Sequence, residues 1–225
     1  MLLGTAWPPV EEPDMTAPDR HSGSAHAQQR FGGVFGLIIG VVLLVGRGAV
    51  SRLVADLAQV GPADRVLDVG CGPGGAAREA ARRGAAVTGV DPAPLMLAMG
   101  RWLSRGRSGR GIQFVTGTAE ALPVPDQSVT VAWAISSAHH WGDEAAGLGE
   151  LHRVLKPGGR LIIAERLTRP GARGMAAHGF TAAQAAEAVS ALQAAGFPDA
   201  TYQTRRAGRR VLAIVRAHLT ESEPS

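Results

Sequence analysis

Cysteine, lysine and aromatic residues are scarce in this 225-residue chain, and each scarcity removes a class of protein from consideration. Cys71 is the only cysteine, so no intramolecular disulfide can form, and the composition fits a reducing cytoplasm rather than a disulfide-stapled secreted domain. Lys156 is the only lysine, and it does not follow a phosphate-cradling glycine loop; a G-x-S-x-G nucleophile elbow is missing too. Aromatic residues make up 4% of the chain, too few to stack successive bases. The arginine clusters at Arg101, Arg105, Arg107 and Arg110, and at Arg205, Arg206, Arg209 and Arg210, therefore read as solvated surface charge under a net charge of +4. No nucleic-acid partner is expected.

Long apolar runs are also lacking. The longest, Phe31 to Val45, is almost wholly apolar, with Gly32, Gly36 and Gly40 recurring every four positions in the manner of closely packed membrane helices. Its roughly fifteen residues at about 1.5 Å each reach roughly 22 Å, short of a hydrocarbon core of about 30 Å. It is expected to be an N-terminal apolar helix over 31–45 that covers a pocket, with membrane-surface contact possible but not favoured. Residues 1–30 show no apolar period and no signal-peptide pattern, and are expected to form a disordered tail. One folded domain over 31–218 and a C-terminal tail over 219–225 complete the expected organisation, in a cytoplasmic protein.

What is present centres on Arg65 to Asp91, RVLDVGCGPGGAAREAARRGAAVTGVD. The apolar run Val66, Leu67 and Val69 ends in Gly70, Gly72, Gly74 and Gly75, after which an Ala-rich segment begins; this reads as strand, glycine turn and helix. A ligand can approach the backbone of such a turn where no Cβ intervenes, and the helix opening supplies free N–H groups. A second strand ends in Asp91, where a doubly wound sheet places the carboxylate that holds ribose hydroxyls. Gly70, Gly72 and Gly75 also satisfy the dinucleotide pattern, so spacing alone leaves an NAD-dependent oxidoreductase open. Asp68 discriminates between the two. A fixed carboxylate at the mouth of the turn repels a pyrophosphate and suits a ligand that carries an ammonium group.

S-adenosylmethionine carries an ammonium and a sulfonium, and at this point the sequence resembles the class I S-adenosylmethionine-dependent methyltransferases. Asp68, Gly70, Gly72 and Gly74 match the family's first motif, Asp91 its ribose-binding acid, and Leu151 to Glu165, LHRVLKPGGRLIIAE, a later segment typical of it. The resemblance spans roughly Leu57 to Arg166 and is nearest to the small-molecule branch that includes the ubiquinone and menaquinone enzymes. It implies an α/β fold, the Rossmann-like seven-stranded methyltransferase sheet, mostly parallel with a C-terminal antiparallel hairpin. It also implies S-adenosylmethionine as cofactor and a small, apolar-leaning acceptor. Pro92 and Met96 would pack beside the adenine. In Gly117-Thr118-Ala119, Thr118 stands where the family usually has an acid that accepts from the adenine amino group, and an aspartate there is expected to tighten binding. The alternative reading is a non-catalytic S-adenosylmethionine-binding regulatory or assembly protein.

Val129 to Ile135 reads as a central strand buried on both faces. His139 and His140 follow it, where acceptors of related enzymes enter, and are the candidate general bases. No Cys, Asp or Glu stands at a ligand spacing from them, so no metal site is expected. Asp143 is a helix N-cap, Lys156 to Gly159 end that helix before a fifth strand over Arg160 to Glu165, Thr181 and Gln184 form a capping box, and Thr168 to Gly179 reads as a loop above the pocket. Ala200 to Thr204 and Arg210 to Arg216, joined at Gly208, form the expected hairpin.

Overall fold

The computed structural model describes residues 48–106 and 111–220. The apolar segment 31–45 and the N-terminal tail 1–30 lie outside the described residues, as does most of the C-terminal tail. Helix α1 (Gly48–Leu57) leads into β1 (Arg65–Val69), α2 (Gly75–Arg82), β2 (Ala86–Asp91), α3 (Pro94–Leu103) and β3 (Ile112–Thr116). Then come β4 (Val129–Ile135), a 3₁₀ turn (Ala138–His140), α4 (Glu144–Val154), β5 (Leu155–Arg166), a second 3₁₀ turn (Gly174–Ala177), α5 (Ala182–Ala194), β6 (Thr201–Ala207) and β7 (Arg210–His218).

The strands form one seven-stranded sheet in the order β3-β2-β1-β4-β5-β7-β6. β1 to β5 pair in parallel, while β7 runs antiparallel to both β5 and β6. Alternation along β1 sends Val66 to one face and Leu67 and Val69 to the other. Val66 joins Val50, Val54, Ala76 and Ala80 of α1 and α2, and Leu67 joins Leu148, Leu151, Ala188 and Leu192 of α4 and α5. Each side of the sheet is thus closed by helices whose apolar stripes recur at three- and four-residue spacing, which gives a three-layer α/β/α domain.

Both predicted caps form: Asp143 accepts from the Ala146 amide at 3.0 Å, and Thr181 with Gln184 makes the reciprocal capping box. Two expectations shift. Lys156 to Gly159 does not simply end a helix; it bulges within β5, where the pairing slips between Val129↔Leu155 and Val131↔Arg160. Leu219, expected in a frayed tail, is buried, and its backbone exchanges hydrogen bonds with Gly158 and Gly159 at 2.8 and 2.9 Å. Among the described residues no helix is long and apolar enough to cross a membrane.

Candidate active site

In an open α/β sheet the crevice lies beyond the carboxyl ends of the strands, where the strand order reverses. Here that point falls between β1 and β4. The turn leaving β1 and the loop leaving β4 touch there, and a Cβ at Gly70 (φ 68°) would lie 2.4 Å from the Ser137 Cβ. Only glycine fits that position. The Ser137 hydroxyl donates to the Val69 carbonyl at 2.7 Å and so ties the two strand ends together. Gly72 and Gly74 also have positive φ, whereas Gly75 already lies in α2. Of the glycines on which the two patterns differ, Gly74 takes a left-handed φ, whereas a Cβ at Gly75 would meet nothing within 4 Å, so Gly75 does not serve the close helix packing of the dinucleotide pattern's third glycine.

Asp68 pairs across the sheet with Trp133 and is 2% exposed. Its Oδ2 and the Trp133 indole nitrogen have no hydrogen-bond partner among the described residues. Burial pushes the carboxyl up to about 7, although the nearby Trp133 indole and Ala77 amide draw it down. A buried, incompletely paired carboxylate is costly unless something supplies a cation or donors. The turn that follows β1 is open at two positions, since a Cβ built on Gly72 or Gly75 meets nothing within 4 Å. Orphan acceptor and open turn together fit the aminoacyl end of S-adenosylmethionine, with the amides at the start of α2 available to its carboxylate.

Asp91 departs from expectation. Its position suggests an exposed strand-end carboxylate, yet the residue is 8% exposed. Oδ2 accepts from the Gly72 amide at 2.8 Å and Oδ1 from the Ala93 amide at 2.9 Å. Burial raises its pKa against the pull of those two amides. The side chain thus braces the glycine turn against the end of β2, and the lone pairs left on the two oxygens can still accept from ribose hydroxyls. Beside it Pro92 is exposed and Met96 buried. Ala119 packs into the core, so it can reach a cofactor only through its backbone. Burial tends to raise the Glu120 pKa, but hydrogen bonds from the Thr118 hydroxyl and the Gly142 and Asp143 amides outweigh it and hold the carboxyl below its usual range. The Gly142 amide bond is 2.7 Å. Glu120 therefore ties the Thr118 loop to the loop that precedes α4.

Burial also raises the Cys71 thiol well above its ordinary value, with Asp68 and Asp91 adding to the effect. This is the environment of an inert turn residue packed on Leu97 and Phe114, not of a nucleophile.

On the β4 side, Ser136 at φ 53° turns the chain into the loop that carries the histidines. His139 Nδ1 lies 2.9 Å from Glu165 Oε2, and the other oxygen of Glu165 accepts from the Ala138 amide at 2.9 Å. Glu165, at the end of β5, is 0% exposed. With Nδ1–H donated to the carboxylate, Nε2 is left as the basic nitrogen, and it is buried with no partner among the described residues. His140 is exposed. The structure thus separates two histidines that the sequence leaves equivalent, and it adds Glu165, which sequence reasoning missed. An acid ending the apolar run Leu161 to Ala164 was its signal. His178, from the segment after β5, brings a third imidazole to the pair, which spacing along the chain could not show.

The strand order and the C-terminal antiparallel pair are those of the Rossmann-like methyltransferase fold. Residues 67–163 match the family described as "Methyltransferase domain". Among curated relatives, the demethylmenaquinone methyltransferase of Thermus thermophilus is 40% identical over 119 residues, 51% of this chain and 52% of that protein. The 27-O-demethylrifamycin SV methyltransferase of Amycolatopsis mediterranei is 36% identical over 135 residues, 57% of this chain and 49% of that one. The chain thus spans about half the length of these relatives. A solved S-adenosylmethionine-dependent methyltransferase from Aquifex aeolicus superposes with a TM-score of 0.65 at 17% identity, covering 78% of this chain and 94% of that one, a likeness of fold alone.

Proposed function

We infer that the protein is an S-adenosylmethionine-dependent methyltransferase acting in the cytoplasm on a small organic acceptor with an ionisable hydroxyl or acidic carbon. The observation that carries the reading is the His139–Glu165 pair, placed at the same carboxyl end of the sheet as the orphaned Asp68 carboxylate. Asp68 holds the ammonium of the cofactor, the glycine turn admits its backbone, and Asp91 and the Thr118 loop hold its nucleoside part. The bound cofactor supplies an activated methyl group on sulfur, so the chain's own task is to align the acceptor and exclude water. His139 Nε2 takes the acceptor proton, while Glu165 fixes the tautomer and offsets the charge the ring acquires. Relatives named for demethylmenaquinone and for an O-demethyl rifamycin support a small organic acceptor over a macromolecule.

The test is a donor-binding measurement followed by a screen of quinols, phenols and hydroxylated macrocycles with labelled methyl donor. Turnover with one of them excludes the non-catalytic alternative; donor binding with no transfer across the screen would overturn this acceptor class.

A further inference from the structure

His139, His140 and His178 bring one ring nitrogen each to within 4.8 Å of one another. The rings of His139 and His140 lie 3.9 Å apart between centroids, and His178 stands edge-on to His139 at 5.5 Å. His139 is held by a fully buried carboxylate, Glu165, whose two oxygens are both engaged. Its other nitrogen, Nε2, is buried and unpartnered among the described residues. His178 is placed by a tight backbone junction. At its neighbour Gly179 (φ 138°) a Cβ would lie 2.1 Å from the Arg166 carbonyl oxygen, and Phe180 and Arg166 are joined by an amide–carbonyl bond of 2.9 Å.

We propose that His139, His140 and His178 form a three-histidine site for one borderline divalent cation of the zinc class, oriented from behind by Glu165. Neutral imidazoles select zinc, cobalt or nickel over magnesium or calcium, which require oxygen ligands. A carboxylate on the far nitrogen of a metal-binding histidine fixes its tautomer and raises its basicity, the relation that Glu165 has to His139. Bonds of about 2.0–2.1 Å in a tetrahedral arrangement put ligand nitrogens roughly 3.3 Å apart. Reaching that spacing requires the exposed His140 and His178 to shift toward His139 Nε2. Three protein ligands leave a fourth position for water or an acceptor oxygen. The site rests on the same His139 Nε2 as the proposed base, so a bound cation and proton abstraction by that nitrogen exclude one another, but the site's existence does not depend on methyl transfer.

The experiment titrates the chelator-treated full chain with Zn²⁺ against a chromophoric competitor, and with Co²⁺ followed by its visible absorption. One ion per chain is expected, with Co²⁺ bands of a four-coordinate nitrogen-rich site. H178A should weaken Zn²⁺ binding at least tenfold without lowering the thermal unfolding midpoint, because His178 is exposed. E165Q, which keeps shape and removes charge, should weaken it by about 10- to 100-fold. H178A binding within threefold of the wild type would overturn the site, as would a stoichiometry and affinity unchanged in the triple alanine variant. A chain that binds Zn²⁺ in this way yet transfers no methyl group would leave the cation site standing and remove only the enzymatic reading.

Discussion

Replacing Asp68 with asparagine should raise stability near neutral pH while weakening the cofactor, and the two effects should follow one titration. The carboxyl has an ordinary value of 3.8 and is pushed to about 7 by burial in the native state. Because the folded value is raised, the stabilising contribution is fully present below about pH 3.8. It is lost as pH climbs toward 7, where the folded protein must hold a buried charge. At about 1.36 kcal/mol for each pH unit between those limits, the loss is about 4 kcal/mol. Urea unfolding from pH 4 to 7.5 should therefore show the wild type losing up to about 4 kcal/mol relative to D68N, with the difference level above about pH 7. Cofactor binding reverses the preference, since the ammonium needs the ionised carboxylate. Affinity should fall about tenfold per pH unit below about 7, with close to one proton released on binding at pH 6. Above about pH 8 it should fall again as the cofactor's own amine, whose ordinary value is about 7.7–8.0, loses its charge. Calorimetry in buffers of different ionisation heat reads the proton directly. If wild type and D68N share one pH profile for both unfolding and binding, Asp68 is neither strained nor the ammonium site.

Asp91→Ala should cost stability as well as affinity, because it orphans the Gly72 and Ala93 amides; a loss of about 2–4 kcal/mol in urea unfolding is expected, and Asp91→Asn, which keeps one acceptor, should lose less. An unfolding curve unchanged in D91A would remove its bracing role. His139→Gln should lower the methyl-transfer rate about 10²- to 10⁴-fold while leaving donor affinity within twofold, and His140→Gln should change the rate by less; equal small losses in single-turnover assays would leave both as loop residues. Thr118→Asp should tighten donor binding modestly if residue 118 faces the adenine, and weaker binding in calorimetry would show that it does not.

What the sequence reveals and conceals divides along the range of the interactions involved. The glycine turn is set by residues within one short stretch, and the backbone angles that only Gly70, Gly72 and Gly74 readily adopt leave a legible mark in composition. Hairpin, caps and buried central strand are equally local, so their periods and turn residues announce them. Strand ends are less exact: β5 begins at Leu155 rather than Arg160 because a bulge absorbs Lys156 to Gly159, and no local propensity marks where pairing with β4 resumes.

The histidine cluster is concealed for a different reason. Nothing near His139 in the chain separates it from His140, because the distinction is made by Glu165 on the next strand over and by His178 beyond it. Parallel pairing of β4 with β5 aligns Ile135 with Ala164, so the residues that follow each strand emerge side by side at the same end of the sheet. An acid one step beyond Ala164 therefore reaches the loop one turn beyond Ile135. Had the register of those two strands been inferred from their apolar runs, the Glu165 partner would have been predictable. His178 would not have been, since its place depends on the tight junction of Gly179 with Arg166, a contact between residues that no period relates. Asp91 shows the converse error. Its place at the end of β2 was legible, but its burial was not, because the two amides that enclose it are supplied by the glycine turn and by Ala93 folding back over the strand end. The glycine-turn half of the candidate site is thus written in local sequence and merely braced by tertiary contacts, whereas the histidine half exists only once β4, β5 and the segment carrying His178 have come together.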